Sequence, residues 1–372
     1  MIVIEIGHIV AGPTAGLLLS DLGFEVIKVE KPGSGDIARS LTGTSSGAFP
    51  FYNRNKKSIT IDIKNDDGIE ILKQLIKRAD ILIDNLGFGS LSSVGLSYDF
   101  MSRLNERLIY LSIRGYGEGP YEKRKSLDFP IEVHSGLAYM TGLNGRPMRV
   151  GASIVDMSAA MFGVIAILNA IIERNITGKG KNITIGMFET ALFFMGQHIA
   201  SYQLIGKELK PLNEEGFAWG VYDFFKTKDD KEIFIAVTTD DQWKKFCDLF
   251  SIEIKDKFPT NTSRYDNRNI IIPRIQEIMK TMYIENITEL LDMGNISYSV
   301  LNKPWELLED IHASKKLIDE TYKDKIIKVP YSPLGGVMLN NPPILGENTE
   351  EILTNLGYNK DKIRELKEKN AI

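Results

Sequence analysis

Cysteine is nearly absent from this chain. Cys247 is the only one among 372 residues, so no disulfide can form within the chain and a reducing, cytoplasmic setting is the simplest expectation. Histidine is scarce too. His8, His134, His198 and His312 fall at no metal-ligand spacing with one another or with Cys247. HExxH and CxxC are both missing, so no metal is expected. Positive charge is not in excess: 45 Lys and Arg stand against 49 Asp and Glu, for a net charge of −4, which removes the electrostatic case for nucleic acid. No charge-free apolar run approaches the roughly 20 residues needed to span a bilayer. The opening Met1 to Glu5 has no cationic segment before it and no small-residue cleavage site after it, so it reads as a first strand. Neither a membrane nor a nucleic acid is therefore expected as a partner. What remains, 43% hydrophobic and 25% charged residues, is the balance of an ordinary globular protein, long enough for two domains.

The N-terminal half alternates in an α/β manner. Ile2 to Ile6 and Glu25 to Glu30 read as strands, with a helix from Ala15 to Leu22 between them. Asp66 to Ala79 carries Ile69, Leu72, Leu75, Ile76 and Ala79 at helical spacing, with acids at its start and Lys77 and Arg78 at its end. Short strands at Ile81 to Ile83 and Leu108 to Ile113 follow, and the cadence predicts a mostly parallel sheet. After Ser201 the pattern changes. Lys207 to Phe217 reads as a linker, Val221 to Val237 as a β-hairpin, and Asp241 to Asp310 as Lys-rich amphipathic helices. The expected division is a large domain at 1–205, a small one at 216–328, and a segment at 329–372 that returns to the large domain and ends in a polar helix from Glu350 to Lys369.

Three places could carry chemistry. The turn Gly7 to Gly16 lies between a strand and a helix, where amides can hold a pyrophosphate. Its glycines at 7, 12 and 16 do not make GxGxxG, however, and Pro13 removes a donor. Tight strand–helix packing explains them equally well. Arg39, the run Asn53 to Lys57 and the run Lys123 to Lys125 are candidate phosphate ligands or solvated surface charge. Asp156 sits at the mouth of the most hydrophobic stretch, Gly151 to Leu168. A carboxylate there either caps the helix, or is kept ionised by free amides and the helix dipole and attacks a carbonyl.

Several further segments share an order and spacing: Ala11-Gly12-Pro13, Asp21 to Asp36 (DLGFEVIKVEKPGSGD), Asn53 to Asp62 (NRNKKSITID), Gly115-Tyr116-Gly117, Ser135-Gly136-Leu137, Thr177 to Lys181 (TGKGK) and Gly346 to Thr349 (GENT). With these, nearly the whole chain resembles the family III CoA-transferases, the group that also holds formyl-CoA transferases, carnitine CoA-transferases and 2-methylacyl-CoA racemases. The resemblance implies a Rossmann-like parallel-sheet large domain with a smaller α+β domain, and two chains interlocked as a homodimer. It implies coenzyme A as co-substrate, an acyl-CoA donor and a carboxylic acid acceptor. Asp156 takes the slot of the nucleophile. Coenzyme A is implied to lie near Ile9, Val10, Arg39, Ile61, Lys64, Asn85, Leu86 and Lys125.

Three departures refine that expectation. Racemases of the family carry a Gly-His-Asp-like segment, and the corresponding run here is Ser126-Leu127-Asp128. Exchange of an α-proton on both faces needs two titratable groups, and Leu127 is not one. Transfer is thus favoured over racemisation, with His134 or Asp128 as the substitute base in the alternative. A catalytically silent CoA-binding protein is the third reading. Ser93 stands where relatives place an arginine, and Asn213 to Gly220 shows no glycine-rich lid.

Overall fold

The computed structural model describes residues 1–215, 218–335 and 340–372, and the chain forms two compact units. The first comprises 1–141, 146–208 and 316–372; the second comprises 142–145 and 209–315. In this division the segment that belongs with the first unit resumes at Lys316, where the sequence reading placed it from 329.

In the first unit β1 (Ile2–Ile6), α1 (Ala11–Asp21), β2 (Glu25–Glu30), α2 (Ala48–Asn53), β3 (Lys57–Thr60), α3 (Asp66–Arg78) and β4 (Ile81–Asp84) follow in order. Next come α4 (Ser90–Ser93), α5 (Tyr98–Leu104), β5 (Ile109–Arg114), α6 (Asp128–Ser135), α7 (Leu137–Thr141), α8 (Ile154–Thr177), β6 (Lys181–Gly186), α9 (Met187–Phe194) and α10 (Gly196–Ile205). The six strands form one parallel sheet in the order β3-β2-β1-β4-β5-β6. That order is doubly wound, with its switch between β1 and β4, beyond whose carboxyl ends such sheets take their ligands.

Period-2 alternation fills both faces. Ile4, Ile27, Ile59 and Leu82 pack on one side against α3 and the C-terminal helices. Val3, Val26, Ile81, Ile83 and Leu111 pack on the other against α1, α8 and α9. By length and composition α8 is the one described helix that could cross a bilayer. Here its inner face, from Val155 through Ala159 and Val164 to Ala170, is instead built into the second core.

The second unit holds α11 (Leu212–Glu215), β7 (Val221–Lys226), β8 (Glu232–Val237), α12 (Asp240–Leu249), α13 (Asn261–Asp266), α14 (Arg268–Met279), α15 (Ile284–Gly294) and β9 (Ser297–Val300). β7 and β8 are the expected hairpin, and β9 extends it to three antiparallel strands. Trp243, Phe246, Cys247 and Phe250 lie in its core, and burial pushes the Cys247 thiol up to about 12, so it is packing rather than a nucleophile. Residues 216 and 217, in the expected linker and lid region, lie outside the described residues.

Back in the first unit, β10 (Leu317–Tyr322) and β11 (Lys325–Pro330) pair antiparallel. The single terminal helix expected from Glu350 to Lys369 is two, α16 (Thr349–Asn355) and α17 (Lys360–Glu368). The break falls at Gly357, whose φ of +98° is a left-handed conformation that ends a helix.

Charge is buried under the β1–α1 turn. Glu5 and Lys28 are register partners on β1 and β2, both fully buried, with Nζ 2.8 Å from Oε1. Lys28 also reaches Asp36 at 2.9 Å and the carbonyl of Gly7. Lys56 reaches the other oxygen of Glu5 at 2.6 Å and the carbonyl of Pro13. Burial works to lower Lys28, but Glu5, Asp36 and Glu30 outweigh it and hold the ammonium charged. Each charge here is compensated, and removing one partner strands the others. Lys28→Met is therefore expected to cost roughly 3–5 kcal/mol in urea unfolding. A loss below about 1 kcal/mol would mean that the network contributes no more than surface ion pairs do.

Candidate active site

The turn after β1 is held from beneath. Asn85, just past β4, accepts the His8 amide at 3.0 Å and donates to the His8 carbonyl at 3.1 Å. A Cβ on Gly7 or Gly12 would lie 2.5 or 2.9 Å from the Asn85 Oδ1, so those glycines make room for this side chain rather than for a pyrophosphate. Ile9 has φ +68°, a costly state for a β-branched residue. Its amide donates to Asp36 at 3.1 Å, which helps to fix that state.

The residues expected to meet coenzyme A follow the carboxyl ends of successive strands in one unit. Ile9 and Val10 follow β1, Arg39 follows β2, Ile61 and Lys64 follow β3, Asn85 and Leu86 follow β4, and Lys125 lies in the loop after β5. They are not equally available. Lys64 and Lys125 are exposed, whereas Ile61 is core. Arg39 grips both oxygens of Glu30, at 2.8 and 2.6 Å, donates to the Pro343 carbonyl and stacks 3.7 Å from the Phe49 ring centroid. A phosphate there has to compete with Glu30.

Of the run Asn53 to Lys57, Arg54 and Lys56 prove to be buried rather than surface charge, and its cations are all paired with acids. Arg54 is buried on Asp21 at 2.6 Å, Lys56 is buried on Glu5, and Lys57 pairs with Glu25 and Glu351. Free cations lie elsewhere. Arg114, at the end of β5, is steadied by Ser112 Oγ at 2.8 Å and lies 5.2 Å from the Phe88 ring centroid, with the Lys123 Nζ 5.8 Å from the same ring. Among the described residues no carboxylate lies within 4 Å of the cationic nitrogens of Arg114, Lys123, Arg124 or Lys125. Sequence reading passed over Arg114 because an arginine ending a strand carries no motif.

Asp156 stands in the first turn of α8, but it is not the cap. Ser153 is the N-cap, with no side-chain bond to the helix, and the capping carboxylate comes from Asp128 at the start of α6. Its Oδ1 accepts the amides of Val155 and Asp156 at 3.0 and 3.1 Å. The amides of Ile154 and Met157 go to the Ala152 and Ser153 carbonyls. All four first-turn donors are thus used, and the free amides expected to steady an oxyanion beside Asp156 are not free. Among the described residues the carboxylate oxygens of Asp156 themselves accept no hydrogen bond.

The electrostatics follow. Burial, and then the negative charge of Asp128, push Asp156 up to about 7, against a smaller opposing pull from Arg149. The expectation that the helix dipole would hold this carboxylate ionised is corrected: Asp128 already sits on the positive end. Tyr52, in the last turn of α2, lies in the same field, and its phenol is raised by burial and by Asp156 and Asp128. Arg149 donates to Asp128 Oδ2 at 3.1 Å and to Ser153 Oγ at 3.0 Å. Glu132, four residues along α6 from Asp128, accepts the Val150 amide at 2.9 Å. Leu127 is exposed and cannot titrate. His134, six residues past Asp128 and so about 9 Å along the helix, bonds to Tyr116 at 3.0 Å.

Such an arrangement is a half-buried carboxylate without a protein donor, basic for its type, at the ligand-binding edge of a doubly wound sheet. Chemically it can act as a nucleophile on an activated acyl group. No metal cluster of three or more His, Cys, Asp or Glu side chains occurs among the described residues.

The family model of CoA-transferase family III matches residues 1–349. The chain is 32% identical to the Homo sapiens protein named succinyl-CoA:glutarate CoA-transferase, over 98% of this chain and 87% of that one. It is 29% identical to the formyl-CoA:oxalate CoA-transferase of Rhodopseudomonas palustris strain TIE-1, over 99% and 96%. Among solved structures, a CaiB/BaiF family protein from Brucella suis superposes with a TM-score of 0.84 at 29% identity, covering 96% of this chain and 98% of that one.

A raised folded-state value for Asp156 gives a sign to stability. Its contribution is fully present below the ordinary aspartate value of about 4 and is lost between there and about 7. Asp156→Asn should therefore match the parent near pH 3 and exceed it by on the order of 2–4 kcal/mol near pH 9, read by denaturant unfolding at both values. Equal pH dependence in the two proteins would show that Asp156 ionises normally.

Proposed function

The chain belongs to CoA-transferase family III, and from that premise we propose that it moves CoA from an acyl-CoA thioester to a carboxylic acid, with Asp156 as the nucleophile. The observation that carries this reading is the half-buried Asp156 carboxylate in the first turn of α8, which takes no protein donor and is raised by burial while the capping is done by Asp128.

An Asp156 oxygen attacks the thioester carbonyl, forming a mixed anhydride and releasing CoA thiolate. The thiolate attacks the aspartyl carbonyl, giving an aspartyl-CoA thioester and freeing the donor acid. An acceptor carboxylate then attacks the aspartyl thioester, re-forming an anhydride and thiolate. Attack of that thiolate on the acceptor's acyl carbon yields the new acyl-CoA and restores Asp156. Each step exchanges one activated acyl bond for another, so neither ATP nor a metal is required.

Partial burial favours this course because an ionised carboxylate with fewer waters and no protein donors is a stronger nucleophile than a fully hydrated one. Tyr52, close enough to feel the charge of Asp156, is a candidate donor to the developing oxyanion. Pantetheine runs along the turn at Ile9 and Val10 and past Asn85 and Leu86. Lys125, with Arg114 and Lys123, reads the phosphates where Ser93 offers no charge. Racemisation finds no support, since Leu127 fills the slot of the second base and Asp128 is committed to α8.

In this reading the working form is an interlocked homodimer. Its support is a stripe of apolar side chains left open along α8, namely Met161, Ile165, Leu168, Ile172 and Ile176, of which Ile176 is 83% exposed. Exposed apolar surface of this extent marks an interface.

Transfer should fall by roughly 10⁴-fold or more in Asp156→Ala, and hydroxylamine added to parent enzyme with acyl-CoA should leave a hydroxamate on Asp156. Undiminished transfer by the alanine variant rules the mechanism out. Separately, sedimentation should give a dimer for the parent chain and a monomer once Ile165 and Ile172 are both changed to Asp. A monomeric parent chain would remove the dimer from the proposal.

A further inference from the structure

Glu132 is a fully buried acid that the transfer mechanism does not use. Its Oε2 accepts the Val150 amide at 2.9 Å, but its Oε1 has no hydrogen-bond partner as an ionised oxygen. The closest cationic atom to it, the Arg149 Nε, is 3.9 Å away, beyond hydrogen-bond reach. What lies beside it is the carboxyl group of Asp128, one turn back on α6 and close enough to raise it. Two buried carboxylates in contact cannot both stay ionised with one guanidinium between them.

The proton has a definite place to sit. Asp128 accepts two amides of the α8 first turn and one Arg149 N–H, at the positive end of a helix of 24 residues. Glu132 accepts one amide. Four favourable interactions against one put the negative charge on Asp128 and the proton on Glu132, and that proton gives the orphaned Oε1 its missing partner.

We propose that Glu132 is a positioning residue: its carboxyl group keeps its proton and donates it to Asp128, so that Asp128 alone carries the charge of the pair and holds the first turn of α8 beneath Asp156. Burial, with the neighbouring Asp128, raises Glu132 to about 7 against the pull of the Val150 amide and Arg149. The charged and titratable groups around it are few. Asp128 and His134 share its helix, Arg149 precedes α8, Asp156 lies on α8, and α7 carries Tyr139. On α9 the one such group is Glu189, whose carboxylate is held by the Gly117 amide at 2.9 Å.

The effect on catalysis rests on Asp156 being the nucleophile, whereas the protonation of Glu132 does not. As pH rises, ionisation of Asp156 should increase transfer. Loss of the Glu132 proton should then decrease it, because a second charge pushes Asp128 away from the α8 amides. An amide side chain mimics the protonated acid. It donates to Asp128, accepts from Val150 and cannot ionise.

The test compares the full-length parent, Glu132→Gln, Glu132→Ala, and Glu132→Gln in an Asp128→Asn background. Thermal unfolding needs no substrate. Because Glu132 is raised in the folded state, its stabilising effect is lost as pH passes through about 7. The glutamine variant should gain roughly 2–5 °C on the parent between about pH 5 and pH 9, and this gain should vanish in the Asp128→Asn background. Parallel curves for parent and Glu132→Gln would overturn the inference even if no transfer is ever detected. Where transfer is detected, Glu132→Gln should keep parental turnover within about threefold at neutral pH and lose the alkaline fall, while Glu132→Ala falls about tenfold or more. A glutamine variant as impaired as the alanine variant, or with an unchanged alkaline limb, would also overturn it.

Discussion

Everything at the candidate active site depends on one hydrogen-bonded contact: a single oxygen of Asp128 taking the amides of Val155 and Asp156. A helix start needs an acceptor, and a capping side chain is worth about 0.5–2 kcal/mol. Had Asp156 supplied it, that carboxylate would be a satisfied, weakly basic cap. Because Asp128 supplies it from α6, Asp156 keeps its half-buried oxygens free of protein donors. The same contact places a negative charge beside Asp156 and uses up the positive end of α8. Two groups that sequence reading treats as alternatives, a cap and a reactive acid, are in the structure two different residues.

The second constraint is the charge lattice under the β1–α1 turn. Glu5, Lys28, Asp36 and Lys56 are all buried, and from them bonds run to the Gly7 carbonyl, the Ile9 amide and the Pro13 carbonyl. Asn85 closes the turn from β4. The turn at the switch point is thereby rigid before any ligand arrives, and Ile9 is kept in a backbone state it would leave if released. Rigidity of this sort lowers the ordering cost of binding an extended ligand along the edge of the sheet. It also explains why so many cations in the first 60 residues do not face solvent.

Much of the fold was legible in the chain. Strands of alternating or continuous apolar residues at Ile2 to Ile6, Glu25 to Glu30 and Val221 to Val237, and the amphipathic helix from Asp66, declare themselves by periodicity and end signals. Pairings between distant residues were not legible. Asp128 and the α8 amides are separated by the rest of α6, by α7 and by the loop after it, so a capping acid could be assigned only to the nearest candidate, Asp156. Arg54 and Lys56 look like a surface basic run because their acids, Asp21 and Glu5, lie on other elements. The tandem α16 and α17 read as one helix because a single glycine inside a polar pattern is a weak stop signal. The acids at positions 128 and 132, one turn apart on a short apolar helix, were a visible signal that sequence reading left unused.

The most direct test follows an oxygen atom. If CoA passes through an aspartyl thioester and an anhydride, an acceptor acid labelled with oxygen-18 must leave one labelled oxygen on the enzyme in a single turnover. The peptide that contains Asp156, isolated after that turnover and weighed by mass spectrometry, should carry one heavy oxygen on that side chain. A peptide of unaltered mass, with all the label in the acyl-CoA product or the residual acid, would contradict the account.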